Sequence, residues 1–319
     1  MGVIPVCQYN PYESNSTHHD KPNRTPVKPF LKWAGGKGQL LHEIKPYYPF
    51  NGSIRKYAEP FVGGGAVLFD ILSNYELEDI YISDINAELM NTYRVIRDDV
   101  NPLVEILQSM QFHYIQLGNE GRKSDYMEKR SRFNTLIAGN EEAIDIEKAA
   151  LMIFLNKTCF NGLFRVNKKG LFNVPMGAYK NPAICDETNL RAVSERLQKV
   201  RIVCGDYKQA ADFIDEHTFA YFDPPYRPLT DTSSFTAYSE YSFNDDRQVE
   251  LARFIDEMDK KGAKIVVSNS DPKYADPKDD FFDRIYAAYH IKRVEASRMI
   301  NCNSSARGKI KELLIDNDT

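Results

Sequence analysis

The chain has 319 residues, of which 42% are hydrophobic and 27% are charged, and this balance is typical of a soluble globular protein. Its formal net charge of -4 excludes a surface that is basic overall, so contact with nucleic acid would require a local basic patch. The five scattered cysteines contain no Cys-x-x-Cys pair, which argues against a disulfide framework or a zinc site, and no apolar run reaches the roughly 20 residues of a membrane span.

Residues 1–28 are rich in Pro, Asn, Ser and His and lack periodic apolar residues, which predicts a disordered tail. This tail has no secretory signal pattern, and Val6 stands where a myristoylation signal requires Ser or Thr. Because the cysteines also suit a reducing compartment, we expect a cytoplasmic protein.

The first ordered segment, Lys32 to Lys37, contains two adjacent glycines, which let the backbone turn tightly or approach a ligand closely. Lys37 offers a cation at this turn for a ligand carboxylate. Trp33 is the only tryptophan of the chain, and taken alone it is more typical of a core anchor than of a binding site.

A strand, a glycine turn and a helix follow between Lys56 and Leu72, which is the opening of a doubly wound α/β domain. The turn is not the dinucleotide pattern Gly-x-Gly-x-x-Gly, because Leu68 takes the place of the third glycine, and the P-loop pattern is absent from the chain. A second strand ends in Asp84, about 20 residues beyond the glycines, where such folds bind ribose hydroxyls. Asp84 could instead cap the helix predicted from Asn86.

Apolar residues at helical spacing predict three helices in the next section of the chain, with glycines as breaks between them. We read this section as a small helical domain inserted into the α/β unit. The predicted helices are Leu103 to Leu117, Tyr126 to Ala138 and Ile144 to Leu155, with breaks at Gly118, Gly121 and Gly139.

Residues 156–181 contain five Lys and Arg and no acid, which is the local basic patch that the net charge does not show. Residues 164–167 and 171–174 flank Lys168-Lys169-Gly170, and this pattern predicts a β-hairpin that could enter the major groove of DNA. Arg165 could then bind guanine, and Asn161 or Asn167 could bind adenine, while the lysines hold phosphates. The alternative is a solvated basic hairpin.

An aromatic strand, Phe219 to Phe222, is ended by a tandem proline, so that Asp223 lies at the edge of the sheet where α/β folds bind ligands. The Asp223 carboxylate and the Pro224 carbonyl could accept two hydrogen bonds from a planar amine, and Tyr226 could stack on the ring that carries it. The alternative is an ordinary turn with Tyr226 in the core.

The rest of the second half predicts further elements of the same sheet and two loops. Asp206 follows a strand and could contact a purine or cap the next helix. Residues 228–242 predict a mobile loop at the site, and 297–309 a basic loop. The predicted elements are a helix from Asp186 to Leu197, a strand at 201–204, a helix from Asp245 to Lys260, and strands at 264–267, 289–295 and 312–315.

Six segments, in the same order along the chain, resemble the N6-adenine DNA methyltransferases of the Dam type, including the DpnII-like modification enzymes. They cover nearly everything after the tail. The segments are Lys32 to Lys37, Glu59 to Gly65, Ser83 to Asn86, Cys159 to Arg165, Phe172 to Pro182, and Asp223 to Tyr226.

The resemblance implies a Rossmann-like class I methyltransferase fold of the α/β class, with a mixed sheet and an inserted, mainly helical target-recognition domain that carries the β-hairpin. We assign residues 29–98 and 186–319 to an S-adenosylmethionine-binding catalytic domain and 99–185 to the DNA-binding domain.

The resemblance further implies S-adenosyl-L-methionine as the methyl donor and no metal. The expected catalytic residues are Asp223, Pro224 and Tyr226. The expected cofactor-binding residues are Trp33, Lys37, Glu59, Phe61, Gly63, Gly65, Asp84, Ile85, Asp206 and Asp223. The expected DNA-binding residues are Lys32, Asn161, Leu163, Arg165, Asn167, Pro175 and Tyr179.

The implied activity is transfer of a methyl group to the N6 amine of a flipped adenine in double-stranded DNA, at a GATC-like site. Ala178 stands where relatives often carry a basic residue, so the resemblance indicates the central base pairs more specifically than the outer ones. The alternatives are a methyltransferase for cytosine N4 or RNA adenine, and a non-catalytic DNA-binding regulator. We expect a monomer without membrane contact, with a cognate restriction endonuclease, where one is present, acting separately.

Overall fold

The computed structural model describes residues 25–139, 144–227, 243–297 and 309–318, and within these ranges it shows a single sheet flanked by helices. The strands are β1 Lys56–Glu59, β2 Asp79–Asp84, β3 Val200–Cys204, β4 Thr218–Phe222, β5 Lys264–Ser270, β6 His290–Ser297 and β7 Lys309–Asp316. The helices are α1 Leu41–Ile44, α2 Ala66–Asn74, α3 Ala87–Asp98, α4 Val100–Gln116, α5 Asn119–Ala138, α6 Ile146–Thr158, α7 Glu187–Leu197, α8 Asp245–Lys260 and α9 Phe281–Ile285.

The seven strands lie in the order β3-β2-β1-β4-β5-β7-β6. The strands from β3 to β5 pair in parallel, whereas β7 is antiparallel to both β5 and β6. The predicted mixed α/β sheet is therefore confirmed. The strand order reverses between β1 and β4, which places the carboxyl ends of these two strands and of β2 around one crevice.

Apolar side chains cover both faces of the sheet, which explains why β4 is a continuous apolar run with every residue buried. One cluster packs β1 and β2 against α2, α3 and the inserted helices α4 to α6. The other packs β4 and β5 against α8 and α9. Because the inserted helices share the first cluster, the predicted helical domain is packed as part of the α/β unit. Asn91 on α3 fastens this junction through two hydrogen bonds of 2.9 Å with the backbone of Asp145.

Several details differ from the sequence prediction, among them a helix break and the end of the tail. Gly121, predicted as a helix break, lies inside α5, because the helix begins at Asn119 and its first turn tolerates a glycine. Residues 25–28, which we assigned to the tail, are packed: Val27 is buried, and the backbone of Lys28 makes two hydrogen bonds with the side chain of Asn189. The rest of the predicted tail, the predicted loop at 228–242 and residues 298–308 of the predicted loop at 297–309 lie outside the described residues, whereas residue 297 ends β6 and residue 309 begins β7.

The polar end of β5 was missed. The strand continues to Ser270, three residues beyond the predicted end at Val267, because Ser268, Asn269 and Ser270 pair with β7 and their side chains make buried hydrogen bonds. Among the described residues, no helix combines the length and the hydrophobicity of a transmembrane span.

Candidate functional site

A cavity of about 540 Å³ opens at the carboxyl ends of β1, β2 and β4. Every residue predicted to bind a cofactor lines it except Gly65, which lies at the start of α2. A cavity at the edge of a sheet, with both polar and apolar walls, is the usual setting of a small-molecule site. The lining residues from the predicted set are Trp33, Lys37, Glu59, Phe61, Gly63, Asp84, Ile85, Asp206 and Asp223.

The glycine turn lines part of the cavity. Side chains at Gly63 or Gly64 would collide with Trp33. Gly63 and Gly65 have φ angles of 47° and 71°, in the left-handed region that favours glycine. A Cβ atom on Gly64 would lie 2.8 Å from the Cβ of Trp33, and one on Gly63 would lie 2.9 Å from its indole ring. Trp33 thus packs directly on the turn, and its other neighbour, Phe164, stacks on it at 5.7 Å between ring centroids. The tryptophan therefore connects the cavity wall to the hairpin segment.

Asp84 organises this turn from the end of β2. Its Oδ2 accepts a hydrogen bond of 3.1 Å from the Gly63 N–H, and its Oδ1 accepts one of 2.9 Å from the Asn86 N–H. The helix cap that we considered for Asp84 is supplied by Asn86, whose side chain accepts from the Leu89 N–H. Burial raises the pKa of Asp84, and the backbone donors oppose that rise. Each carboxylate oxygen retains acceptor capacity for a ligand hydroxyl.

Three aromatic side chains that contact one another also line the cavity, and only one of them was predicted. Phe61 stacks on Tyr207 at 5.3 Å between ring centroids, and Phe243 packs edge-on against Phe61. Tyr207 and Phe243 line the cavity but were not among the predicted residues. The position of Tyr207 directly after Asp206 was the available signal. Asp206 caps the short helical turn that follows, since it accepts a hydrogen bond from the Lys208 N–H at 3.0 Å, and it also lines the cavity; its contact with a purine stays a prediction.

The Asp223 carboxylate is held by two side chains. Its Oδ1 lies 2.8 Å from the Nζ of Lys37 and accepts a 2.8 Å hydrogen bond from Ser268, whose hydroxyl in turn accepts from Tyr221 at 3.0 Å. Lys37 is only 4% exposed and also donates to the Gly35 carbonyl. The lysine predicted for a ligand carboxylate is therefore paired with a carboxylate of the chain.

The turn that follows Asp223 is fastened to helix α8 and to strand β7. Gln248 on α8 donates to the Pro225 carbonyl at 3.0 Å and accepts from Asn269 at 3.1 Å. The Tyr226 hydroxyl donates to Glu312 on β7, and the Nζ of Lys37 lies 4.6 Å from the centre of the Tyr226 ring. The sequence prediction missed Gln248, Ser268, Asn269 and Glu312, although the polar Ser-Asn-Ser run after an apolar strand was a signal for the middle two.

Glu59 ends β1 beneath the cavity and is 2% exposed. Burial raises its pKa to about 8, although a 2.8 Å hydrogen bond from the Tyr57 hydroxyl lowers it in part. A carboxyl that is neutral near pH 7 can donate as well as accept a hydrogen bond.

Replacing Glu59 with glutamine is expected to flatten the dependence of stability on pH. The pKa of the folded-state carboxyl, about 8, lies above its ordinary 4.5, so the native protein holds this proton to higher pH than the unfolded chain does. The contribution of Glu59 is fully present below pH 4.5 and declines as the pH rises to about 8. The expected decline over the whole range is on the order of 5 kcal/mol, since the pKa shift from 4.5 to about 8 spans about 3.5 units and each unit is worth about 1.4 kcal/mol.

Urea unfolding of the ligand-free protein at about pH 5 and about pH 8 measures this difference. Glu216→Gln, which changes an acid whose side chain is 67% exposed, should keep the wild-type slope. An unchanged slope in Glu59→Gln would contradict the buried-proton assignment.

Three predicted DNA-binding residues, Lys32, Asn161 and Tyr179, lie close together at the start of the segment at 32–37 that contains the two adjacent glycines. The Nζ of Lys32 lies 3.3 Å from the Tyr179 hydroxyl and 4.4 Å from the centre of its ring. The side chain of Asn156 makes hydrogen bonds with both the backbone N–H and the backbone carbonyl of Lys32. Gly162 packs against the side chain of Lys32. Asn161 lies next to this contact with a φ angle of 55°, the left-handed conformation that asparagine adopts more readily than most residues.

The hairpin segment is a tight turn with short pairing. Val166 pairs with Phe172, and Arg165 and Asn173 are joined both through the backbone and by a 2.8 Å hydrogen bond between their side chains. Asn167 uses its side-chain oxygen to accept hydrogen bonds from the backbone N–H groups of Lys169 and Leu171, so this oxygen is engaged within the turn.

The remaining predicted DNA contacts are partly used within the protein. Pro175 is exposed, and its carbonyl accepts from the Phe160 N–H at 2.9 Å. Leu163 is half-buried against the first apolar cluster. The neighbouring Lys157 has its pKa lowered to about 8, because it is largely buried and Lys32 lies close by.

Comparison with known proteins gives consistent results. Residues 33–300 match the family described as D12 class N6 adenine-specific DNA methyltransferase. The type II methyltransferase M.MjaIII of Methanocaldococcus jannaschii is 50% identical, over 91% of this chain and 99% of that protein. The type II methyltransferase M1.LlaDCHI of Lactococcus lactis is 36% identical over 92% and 97% of the two chains, and a DNA adenine methylase of Haemophilus influenzae is 35% identical over 90% and 92%.

Proposed function

The chain belongs to the D12 class of N6-adenine-specific DNA methyltransferases, and we propose that it takes its methyl group from S-adenosylmethionine and flips its target adenine out of a GATC-like site. Methylation of the adenine N6 amine in DNA is the activity of this family. The observation that carries the proposal is the convergence of Asp223, Tyr226 and the glycine turn on one cavity.

The cavity suits S-adenosylmethionine in its shape and in its polar groups. The glycine turn gives a close backbone approach that any side chain would block, and the Phe61–Tyr207 wall offers an aromatic face to a planar purine. The Asp84 carboxylate is available to ribose hydroxyls. When bound, the donor supplies an electrophilic methyl group on a positively charged sulfur.

The chain's own contribution to the reaction is to hold the adenine amine in one orientation. That amine is a poor nucleophile, because its lone pair is delocalised into the ring. Asp223 and the Pro224 carbonyl each accept a hydrogen bond from one of its N–H groups, and the ring of Tyr226 stacks on the base. Within the protein, Ser268 donates its hydrogen bond to Oδ1 of Asp223 and not to Oδ2. Oδ2 is therefore the natural acceptor for the amine. Positioning of this kind can lower a barrier by several kcal/mol.

The depth at which these groups lie supports the proposed base flipping. The amine of a stacked and paired adenine cannot reach a carboxylate that is only 19% exposed at the end of a buried strand. The basic segment from Lys157 to Lys180, with Lys32 and Tyr179 beside the cavity, would hold the surrounding duplex. Because two of the relatives are named type II methyltransferases, we also place the chain in a restriction–modification context.

Arg165→Ala is expected to lose discrimination between the target and single-base variants by about 1–3 kcal/mol, because an arginine on a hairpin can read one guanine through two hydrogen bonds. The protein is incubated with labelled S-adenosylmethionine and duplexes that contain GATC or each single-base change. The DNA is then digested to identify and map the methylated base.

Lys169→Ala is the matched control. Lys169 is exposed on the same turn, so its removal should weaken binding to every duplex alike. Label at sites unrelated to GATC would refute the proposed target, and unaltered preference in Arg165→Ala would refute its reading role.

A mismatch opposite the target adenine should tighten binding, because less pairing energy is lost on flipping.

A further inference from the structure

Strands β5 and β7 hold the turn that carries the reacting groups, although neither strand belongs to the recognisable motif. Ser268 contacts Asp223, Ser270 donates to the Arg227 carbonyl at 3.2 Å, and Glu312 accepts from the Tyr226 hydroxyl. Of these three contacts, only the one with Glu312 acts on the ring proposed to stack on the base.

Glu312 is an unusual residue for the middle of a sheet. It is 7% exposed and pairs with Ser270 on β5 and Val294 on β6, between Lys311 and Leu313 on its own strand. Burying a carboxylate there is costly unless donors are bound to it. The phenol of Tyr226 is one such donor, and it comes from a turn about 86 residues earlier in the chain.

The contact fixes a side chain that would otherwise rotate. Tyr226 follows two prolines at the end of β4, and its ring lies at the cavity rather than in the apolar core. One end of the ring is anchored by Glu312 and its face is met by the Nζ of Lys37 at 4.6 Å. An aromatic platform that is already oriented avoids the entropy cost of ordering it when the base arrives.

We propose that Glu312 is a positioning residue for the methyl-transfer reaction, which holds the Tyr226 ring in the orientation that receives the flipped adenine. This inference rests on the proposed stacking role of Tyr226. Glu312 acts through Tyr226 and has no contact of its own with the substrate.

The test compares single-turnover transfer rates of Glu312→Ala, Glu312→Gln, Tyr226→Phe and the double variant Glu312→Ala/Tyr226→Phe, with saturating S-adenosylmethionine and duplex DNA. Glu312→Ala and Tyr226→Phe should each lower the rate about 10- to 100-fold, the loss that a small misplacement of reacting groups produces. The double variant should be no slower than either single variant, because both remove the same hydrogen bond. Glu312→Gln should recover most of the rate, because its amide oxygen also accepts from the phenol.

Asp316→Ala is the matched control, since Asp316 lies on the same strand and is equally buried, at 5% exposed, but contacts His290 instead of the turn. It should keep the wild-type rate, and cofactor affinity measured by calorimetry should stay the same in all variants. Multiplicative losses in the double variant, or a Glu312→Gln variant as slow as Glu312→Ala, would overturn the inference. A normal rate in Tyr226→Ala would instead refute the stacking role on which it rests.

Discussion

Asp223→Ala is expected to abolish methyl transfer, with a loss of about 10³-fold or more in the single-turnover rate. The variant lacks the carboxylate that accepts the adenine amine, and no neighbouring side chain can take its place, since Ser268 and Lys37 both present donors to this position. The rate is measured with labelled S-adenosylmethionine and target duplex, and the fold is checked by thermal unfolding.

The same substitution leaves the buried Lys37 without its carboxylate partner, so we expect a moderate loss of stability, about 1–3 kcal/mol. Because Asp223 also lines the cofactor cavity, cofactor affinity has to be measured separately from the rate. Ser268→Ala is a suitable control: it removes one hydrogen bond to the carboxylate and should slow transfer far less. A folded Asp223→Ala protein that turns over at a near-normal rate would exclude the assigned role.

Asp84→Ala should weaken the binding of S-adenosylmethionine about 100-fold, or roughly 3 kcal/mol. The substitution removes the proposed acceptor for ribose hydroxyls and leaves the N–H groups of Gly63 and Asn86 without their acceptor. The glycine turn then loses the hydrogen bond that ties Gly63 to the end of β2, so both the shape and the polarity of the cavity change. Isothermal titration calorimetry with the donor measures the effect directly.

Asp145→Ala separates this effect from a general loss of stability. Asp145 also accepts a hydrogen bond from a backbone N–H, that of Lys148 at 2.8 Å, but it caps α6 away from the cavity. Its removal should cost about 1 kcal/mol of stability and leave the affinity unchanged. Equal affinities in Asp84→Ala and the wild type would show that Asp84 serves only the turn.

The helices and strands were predictable wherever the conformational preferences of neighbouring residues agree with the element that forms. Asp245–Lys260 is a helix with the predicted bounds, because it combines helical apolar spacing with an Asn cap. The strand before the tandem proline ends where it must, because proline cannot continue the ladder. Gly121 was misjudged as a break, since local propensity is a weak signal against a helix held by tertiary packing.

The site was predictable where one short segment carries the chemistry, and it was not where distant segments meet. The six motif segments identified the family and most residues that line the cavity. The partners of those residues lie elsewhere in the chain: Lys37 meets Asp223 from 186 positions away, since 223 − 37 = 186, and Glu312 meets Tyr226 from 86 positions away.

Local sequence was enough to predict the family, the strands that end in Asp84 and Asp223, and the glycine turn, because each is encoded by neighbouring residues with strong conformational preferences. The folded structure was needed to show which carboxylate Lys37 binds, that β5 continues as a polar strand, and that β7 supplies a buried acid to the Tyr226 hydroxyl. A polar side chain is stabilised in the interior only by its partner, and the partner is set by the order of the strands.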